Sequence, residues 1–112
     1  MSAPHPFLVP PPDARPEPIM SPRARQACLE ACAAHGVHLG WVFSPSRRRA
    51  VARARWACWA ALYALRRPNG AKAFSTTAIG RLFGMDHSSV VIGLRRHAEG
   101  LAKADDTRKA AA

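Results

Sequence analysis

Ser75-Thr76-Thr77-Ala78-Ile79-Gly80-Arg81-Leu82-Phe83-Gly84-Met85-Asp86-His87-Ser88-Ser89-Val90 is the stretch on which the fold turns. Ser75 can cap a helix, and Ile79, Leu82 and Phe83 follow at helical spacing, so a short helix is predicted over residues 76–83. Gly84 supplies a left-handed corner. Asp86 caps a second helix predicted over residues 87–103, where Val90, Leu94, His97 and Leu101 are spaced by 4, 3 and 4. Short helix, glycine turn and longer helix make the layout of a helix-turn-helix.

Upstream, a helix is predicted over residues 51–66. Cys58, Ala61, Leu62 and Leu65 form its buried stripe, with Trp59 and Tyr63 beside it. Arg66 and Arg67 suit the negative end of its dipole, and Pro68-Asn69-Gly70 forces a turn. Ser44-Pro45-Ser46 interrupts the chain before Arg47, Arg48 and Arg49. Residues 37–43 read as a short buried connector with one helical turn. A first helix is predicted over residues 23–35, opened by Ser21-Pro22 and closed by Gly36. No strand candidate exceeds residues 41–43. The expected fold is all-α, a small domain over residues 22–103 with about 80 ordered residues, too few for a large enclosed active site.

Eight of the ten prolines precede Arg23. Proline fixes φ and removes donors, so residues 1–21 are expected to be an extended, disordered arm. Residues 104–112 are expected to be a disordered tail. Residues 44–103 carry twelve Lys or Arg against only Asp86 and Glu99, which places the whole net charge of +10 there. So local an excess points to a polyanion, with nucleic acid first among them. No run of about 18 apolar residues offers a membrane span, and no signal peptide is evident. A cytoplasmic, nucleoid-associated protein is expected. Cys28, Cys32 and Cys58 read as reduced, packed thiols.

Asp86, His87, Ser88 and Ser89 gather short donors and acceptors on the first turn of a helix, where base edges could be reached. Their adjacency forbids a Ser-His-Asp relay, so no enzyme is expected. Cys28, Cys32, His35 and His38 invite a zinc reading. No second ligand pair exists, however, and Gly36 ends the helix between the histidines, so packing is preferred. No cofactor, metal or small-molecule substrate is expected. Trp56, Trp59 and Tyr63 are read as core and rim rather than as a stacking platform.

The quoted stretch resembles the signature of the C-terminal DNA-binding domain of the replication initiator DnaA. In that family a short helix with an Ile-Gly pair precedes a glycine turn and Asp-His-(Ser/Thr)-Thr-Val. Arg47-Arg48-Arg49-Ala50-Val51-Ala52-Arg53-Ala54-Arg55 is similar to the family's basic loop and the start of its long helix. The resemblance covers about residues 23–103. It departs at Trp56, at Tyr63, in the loop of residues 68–74 and in the shorter Gly-Met-Asp turn. No Gly-x-x-x-x-Gly-Lys-(Ser/Thr) phosphate loop is present.

The resemblance implies a Trp-repressor-like fold in which the recognition helix reads the major groove and a basic-loop arginine enters the minor groove. Asp86, His87, Ser88 and Ser89 would face the major groove. Arg47, with Arg48 and Arg49 as close substitutes, would enter the minor groove, and Arg55 would contact phosphate. The full expected DNA-facing set adds Arg53, Ser75, Thr76, Thr77 and Arg95. The expected partner is double-stranded DNA at a DnaA-box-like site, bound by a monomer that modulates replication initiation or transcription. The alternatives are an adaptor on a replication protein and a nonspecific nucleic-acid binder.

Overall fold

A computed structural model describes residues 7–12 and 15–111, with side chains as far as Lys103. It has five helices and, among the described residues, no strand.

Four of the five helices, the last included, begin at side-chain caps. Ser21 Oγ accepts from Ala24 N at 3.2 Å and opens α1 (Pro22–Ala34), with Pro22 in the first turn. The chain leaves α1 through Gly36, at φ 65°. His38 Nδ1 accepts from Gly40 N at 3.0 Å and starts the single turn of α2 (Leu39–Val42), within the predicted connector. Ser75 Oγ accepts from Ala78 N at 3.1 Å and opens α4 (Thr76–Phe83), whose bounds match the prediction.

The long central helix α3 (Arg49–Ala64) begins and ends two residues earlier than predicted. Its expected last turn is diverted into a narrow loop. Leu65 is extended, Ala73 N donates to Leu65 O at 3.1 Å, Arg67 N donates to Ala71 O at 2.8 Å, and Arg66 pairs antiparallel with Lys72. Pro68, which cannot continue a helix, stands inside this loop. The last helix, α5 (His87–Ala111), outruns its predicted end at residue 103, so the expected disordered tail is helical as far as Ala111. Residues 102–111 are rich in Ala and Lys, which favour helix without needing a packing partner.

Helix α3 touches each of the other four and carries the middle of the core. Val51, Ala54, Cys58, Trp59 and Leu62 meet Ala24, Cys28 and Cys32 of α1, Leu39 and Val42 of α2, Ile79 and Phe83 of α4, and Val90 of α5. Phe43 stacks on Phe83 with ring centroids 4.7 Å apart, and Trp59 meets the same ring edge-on at 5.9 Å. Trp59 is thus a core residue, with Trp56 and Tyr63 half-buried at the rim. Leu101, expected to point inward, is 60 % exposed.

The arm is only partly what its prolines suggested. Phe7 is buried against the Trp41 indole, edge to face at 5.1 Å. Trp41 Nε1 donates to Val9 O at 2.7 Å, His38 N donates to Phe7 O, and Glu17 pairs with Arg25 at 2.9 Å. Phe7 and Val9 lie in a turn whose carbonyls need donors, and here His38 and Trp41, at the start of and within α2, supply them. The rest of the expected arm, residues 1–6 and 13–14, and residue 112 of the tail lie outside the described residues.

Candidate functional site

The turn between α4 and α5 is built by two glycines. Gly84 closes α4 at φ 68°, where a Cβ is strained, and both Gly84 N and Met85 N donate to Gly80 O. A Cβ on Gly80 would collide with the Met85 carbonyl, so the corner lies directly on α4. Asp86 Oδ1 then accepts from Ser89 N at 2.8 Å and caps α5. That backbone bond, followed by one from the Ser89 hydroxyl, holds the Asp86 carboxyl below its ordinary range, which keeps it ionised. Asp86, His87 and Ser88 are exposed and Ser89 is half-buried, so the expected polar cluster presents three side chains to solvent. Asp86 therefore acts as a helix cap while its carboxylate stays at the surface.

Sequence reading passed over the next turn of the helix. Val91 and Ile92 are 41 % and 47 % exposed, directly after Val90, which is fully buried. The signal was available as two apolar residues outside the stripe of Val90, Leu94 and His97. Arg95 is exposed one turn further on.

The basic loop is shaped by hydroxyls and one guanidinium. Ser44 Oγ donates to Trp41 O at 2.6 Å and accepts from Ser46 N at 3.3 Å, while Ser46 Oγ accepts from Arg48 N at 3.3 Å. Beneath this loop lies Arg55, only 4 % exposed. Its Nε donates to Val42 O at 2.9 Å, and its Nη2 donates to Ser44 O at 2.8 Å and Ser46 O at 3.0 Å. The expected phosphate contact from Arg55 is therefore corrected: the guanidinium points inward because three backbone carbonyls of the loop need a donor. Burial lowers its pKa, and among the described residues no carboxylate pairs with it. Arg47 and Arg48 stay exposed on the loop that Arg55 holds and Arg49 is exposed at the start of α3, with Arg48 6.0 Å from the Phe7 ring centre.

Helices α3 and α5 run antiparallel, since later residues of α5 meet earlier residues of α3. Gly93 packs on Trp59 and Trp56, whereas His97 and Gly100 lie beside Arg53. The loop arginines and the polar start of α5 consequently sit toward opposite ends of this pair. At about 1.5 Å per residue, the 16 residues of α3 set that spacing at about 24 Å. Arg53 does not join the loop arginines. It lines an open groove of about 420 Å³ with His35, Trp56, Arg96, His97 and Lys103. Arg96 rests 5.7 Å from the Trp56 ring centre, and Gly100 and the exposed Leu101 also line the groove. Within the groove the His35 pKa is lowered, first by partial burial and then by His97 and Arg53.

The remaining expected contacts divide. Ser75 commits its oxygen to capping α4, Thr76 is half-buried and Thr77 is exposed. Cys28, Cys32 and Cys58 are free and buried between α1 and α3, with Cys32 Sγ 3.5 Å from Cys58 Sγ. His35 faces the groove instead of these thiols, and among the described residues no group of three or more His, Cys, Asp or Glu could hold a metal ion. None of the helices is long and apolar enough to cross a membrane among the described residues.

No family model, curated protein or solved structure matches this chain.

Proposed function

We propose that this chain is a non-catalytic, sequence-specific binder of double-stranded DNA. In this reading α4, the Gly84-Met85 corner and α5 form a helix-turn-helix of the Trp-repressor-like kind, and α5 enters the major groove. The observation that carries it is the start of α5. Asp86, His87 and Ser88 are solvent-exposed beyond a tight glycine corner, in a stretch that holds the entire net charge of +10.

Association begins with phosphates, because arginines that displace condensed counterions attract a duplex irrespective of sequence. The imidazole of His87 and the hydroxyl of Ser88 then offer donors and acceptors to base edges, and Asp86 can accept from a cytosine amino group. Arg47, with Arg48 and Arg49 alongside, enters the adjacent minor groove, whose narrowness concentrates negative potential. Arg55 contributes by holding the loop in shape. Arg53 and Arg95 supply phosphate contacts. The proposed target is a DnaA-box-like site, bound in control of replication initiation or transcription.

Selection of bound sequences from a random duplex library tests the proposal. An enriched motif that His87→Ala and Ser88→Ala abolish supports it. Tight, salt-sensitive binding with no enriched motif leaves a nonspecific binder, and no duplex binding at all leaves an adaptor.

A further inference from the structure

Helix α5 turns two kinds of surface in opposite directions. At 100° per residue, Val90, Gly93, Leu94 and His97 occupy the face that packs on the core. Ser88, Val91, Ile92 and Arg95 occupy an arc of about 100° on the other side, with Ile92 almost diametrically opposite Val90. Val91 and Ile92 are the apolar members of that outer arc, 41 % and 47 % exposed, and the exposed Glu99 falls on the same arc two turns beyond Ile92, about 10 Å further along the helix. β-Branched residues gain nothing for helix stability at a solvated position.

The surroundings of this pair restrict what can cover it. Two half-exposed side chains offer far less than the roughly 1,000 Å² that a stable protein interface buries. They are flanked on the same arc by a hydroxyl and a guanidinium, in the segment that carries the chain's whole positive excess. The complementary occupant is therefore strongly anionic at its edges and apolar only at isolated points. A duplex major groove has that character, since its sole apolar group is the thymine C5 methyl.

Resting on the proposed DNA-binding function, we infer that Val91 and Ile92 are specificity-determining residues that read thymine methyl groups. Ser88 and Arg95 lie about 10 Å apart along the helix, or about three base-pair steps of ~3.4 Å. The methyls read by Val91 and Ile92 therefore fall one or two base pairs from the base that Ser88 contacts. Polar groups at the helix start choose among hydrogen-bonding patterns, and the apolar pair chooses thymine over cytosine beside them.

Deoxyuridine tests this directly, because it differs from thymidine only by the missing methyl. Within the selected duplex each thymine is replaced in turn by uracil, and affinities are measured for the full-length wild type, Val91→Ala and Ile92→Ala. Wild type should lose about fourfold for each methyl that is read, at one or two positions. Ile92→Ala or Val91→Ala should bind the thymine and uracil duplexes equally at those positions. Both substitutions are at exposed helical sites and raise helix propensity, and unchanged circular dichroism and thermal midpoints establish that the variants fold. Equal wild-type affinity for every uracil duplex overturns the inference, as does methyl sensitivity that survives in both variants. Either result leaves the DNA-binding function standing if the library has given a motif. Failure to enrich any motif overturns that function and this inference together.

Discussion

Gly93 of α5 lies flat against the Trp59 indole of α3, so close that a Cβ on Gly93 would overlap that ring and stand 2.7 Å from Trp56 Cδ1. This contact sets the separation of the two helices and with it the position of the exposed arc of α5.

Gly93→Ala therefore opposes two effects. Alanine favours helix over glycine by about 1 kcal/mol, whereas overpacking a close-fitted contact costs about 1–3 kcal/mol. The indole is a rigid ring locked in the core, so overpacking wins. A net loss of up to about 2 kcal/mol is expected, read as a lower thermal midpoint by circular dichroism. An unchanged or raised midpoint would show that Trp59 can move aside.

Arg55→Ala leaves three carbonyl oxygens without their donor and is expected to cost about 2–4 kcal/mol. Arg47→Ala, at an exposed position, should stay within about 0.5 kcal/mol of wild type in stability. Under the proposed function both substitutions weaken binding, by different routes. Arg47→Ala should weaken DNA binding in a protein of normal stability, and Arg55→Ala should weaken it through a disordered loop. Urea unfolding of both variants checks the pair, and a fully stable Arg55→Ala protein contradicts the buried role.

His35 makes stability depend on pH. Partial burial, then His97 and Arg53, lowers its pKa below 6.5, and Arg96 and Lys103 line the same groove. The unfolded chain thus binds the proton more readily than the folded one, so stability is lost as pH falls through 6.5 and below. The urea midpoint should fall between pH 7.5 and 5.5 in wild type by more than in His35→Gln. Equal slopes in the two proteins would remove His35 from the account.

The cysteines should be chemically silent in the native protein. All three sulfurs are buried, which shuts out reagent; contacts with the Cys28 and Cys32 sulfurs and burial also push the Cys58 thiol well above its ordinary range, while the Cys58 contact lowers that of Cys28. Iodoacetamide followed by mass spectrometry should find no modified cysteine under native conditions and three after unfolding. Rapid native labelling would mean that α1 separates from α3 readily.

What the sequence determined by itself was whatever depends on neighbours along the chain. Ser21, Ser75 and Asp86 cap helices because a short oxygen-bearing side chain meets backbone donors two or three residues ahead, and Gly84 turns because a left-handed φ suits it best. The inward faces of α1 and α4 largely followed from periodicity, as did the buried cysteines, whereas of the stripe expected on α3 only Cys58 and Leu62 are buried, and Val51, Ala54 and Trp59 complete that face. Tertiary structure decided matters that depend on distant partners. It drew Arg55 under the loop to serve the carbonyls of Val42, Ser44 and Ser46, seated Phe7 on Trp41, and gathered Arg53 with His35 and His97. It also left Val91, Ile92 and Leu101 in solvent. An arginine looks alike in sequence whether it faces water or three carbonyls, because the carbonyls that claim it are set by how the loop folds back over its helix.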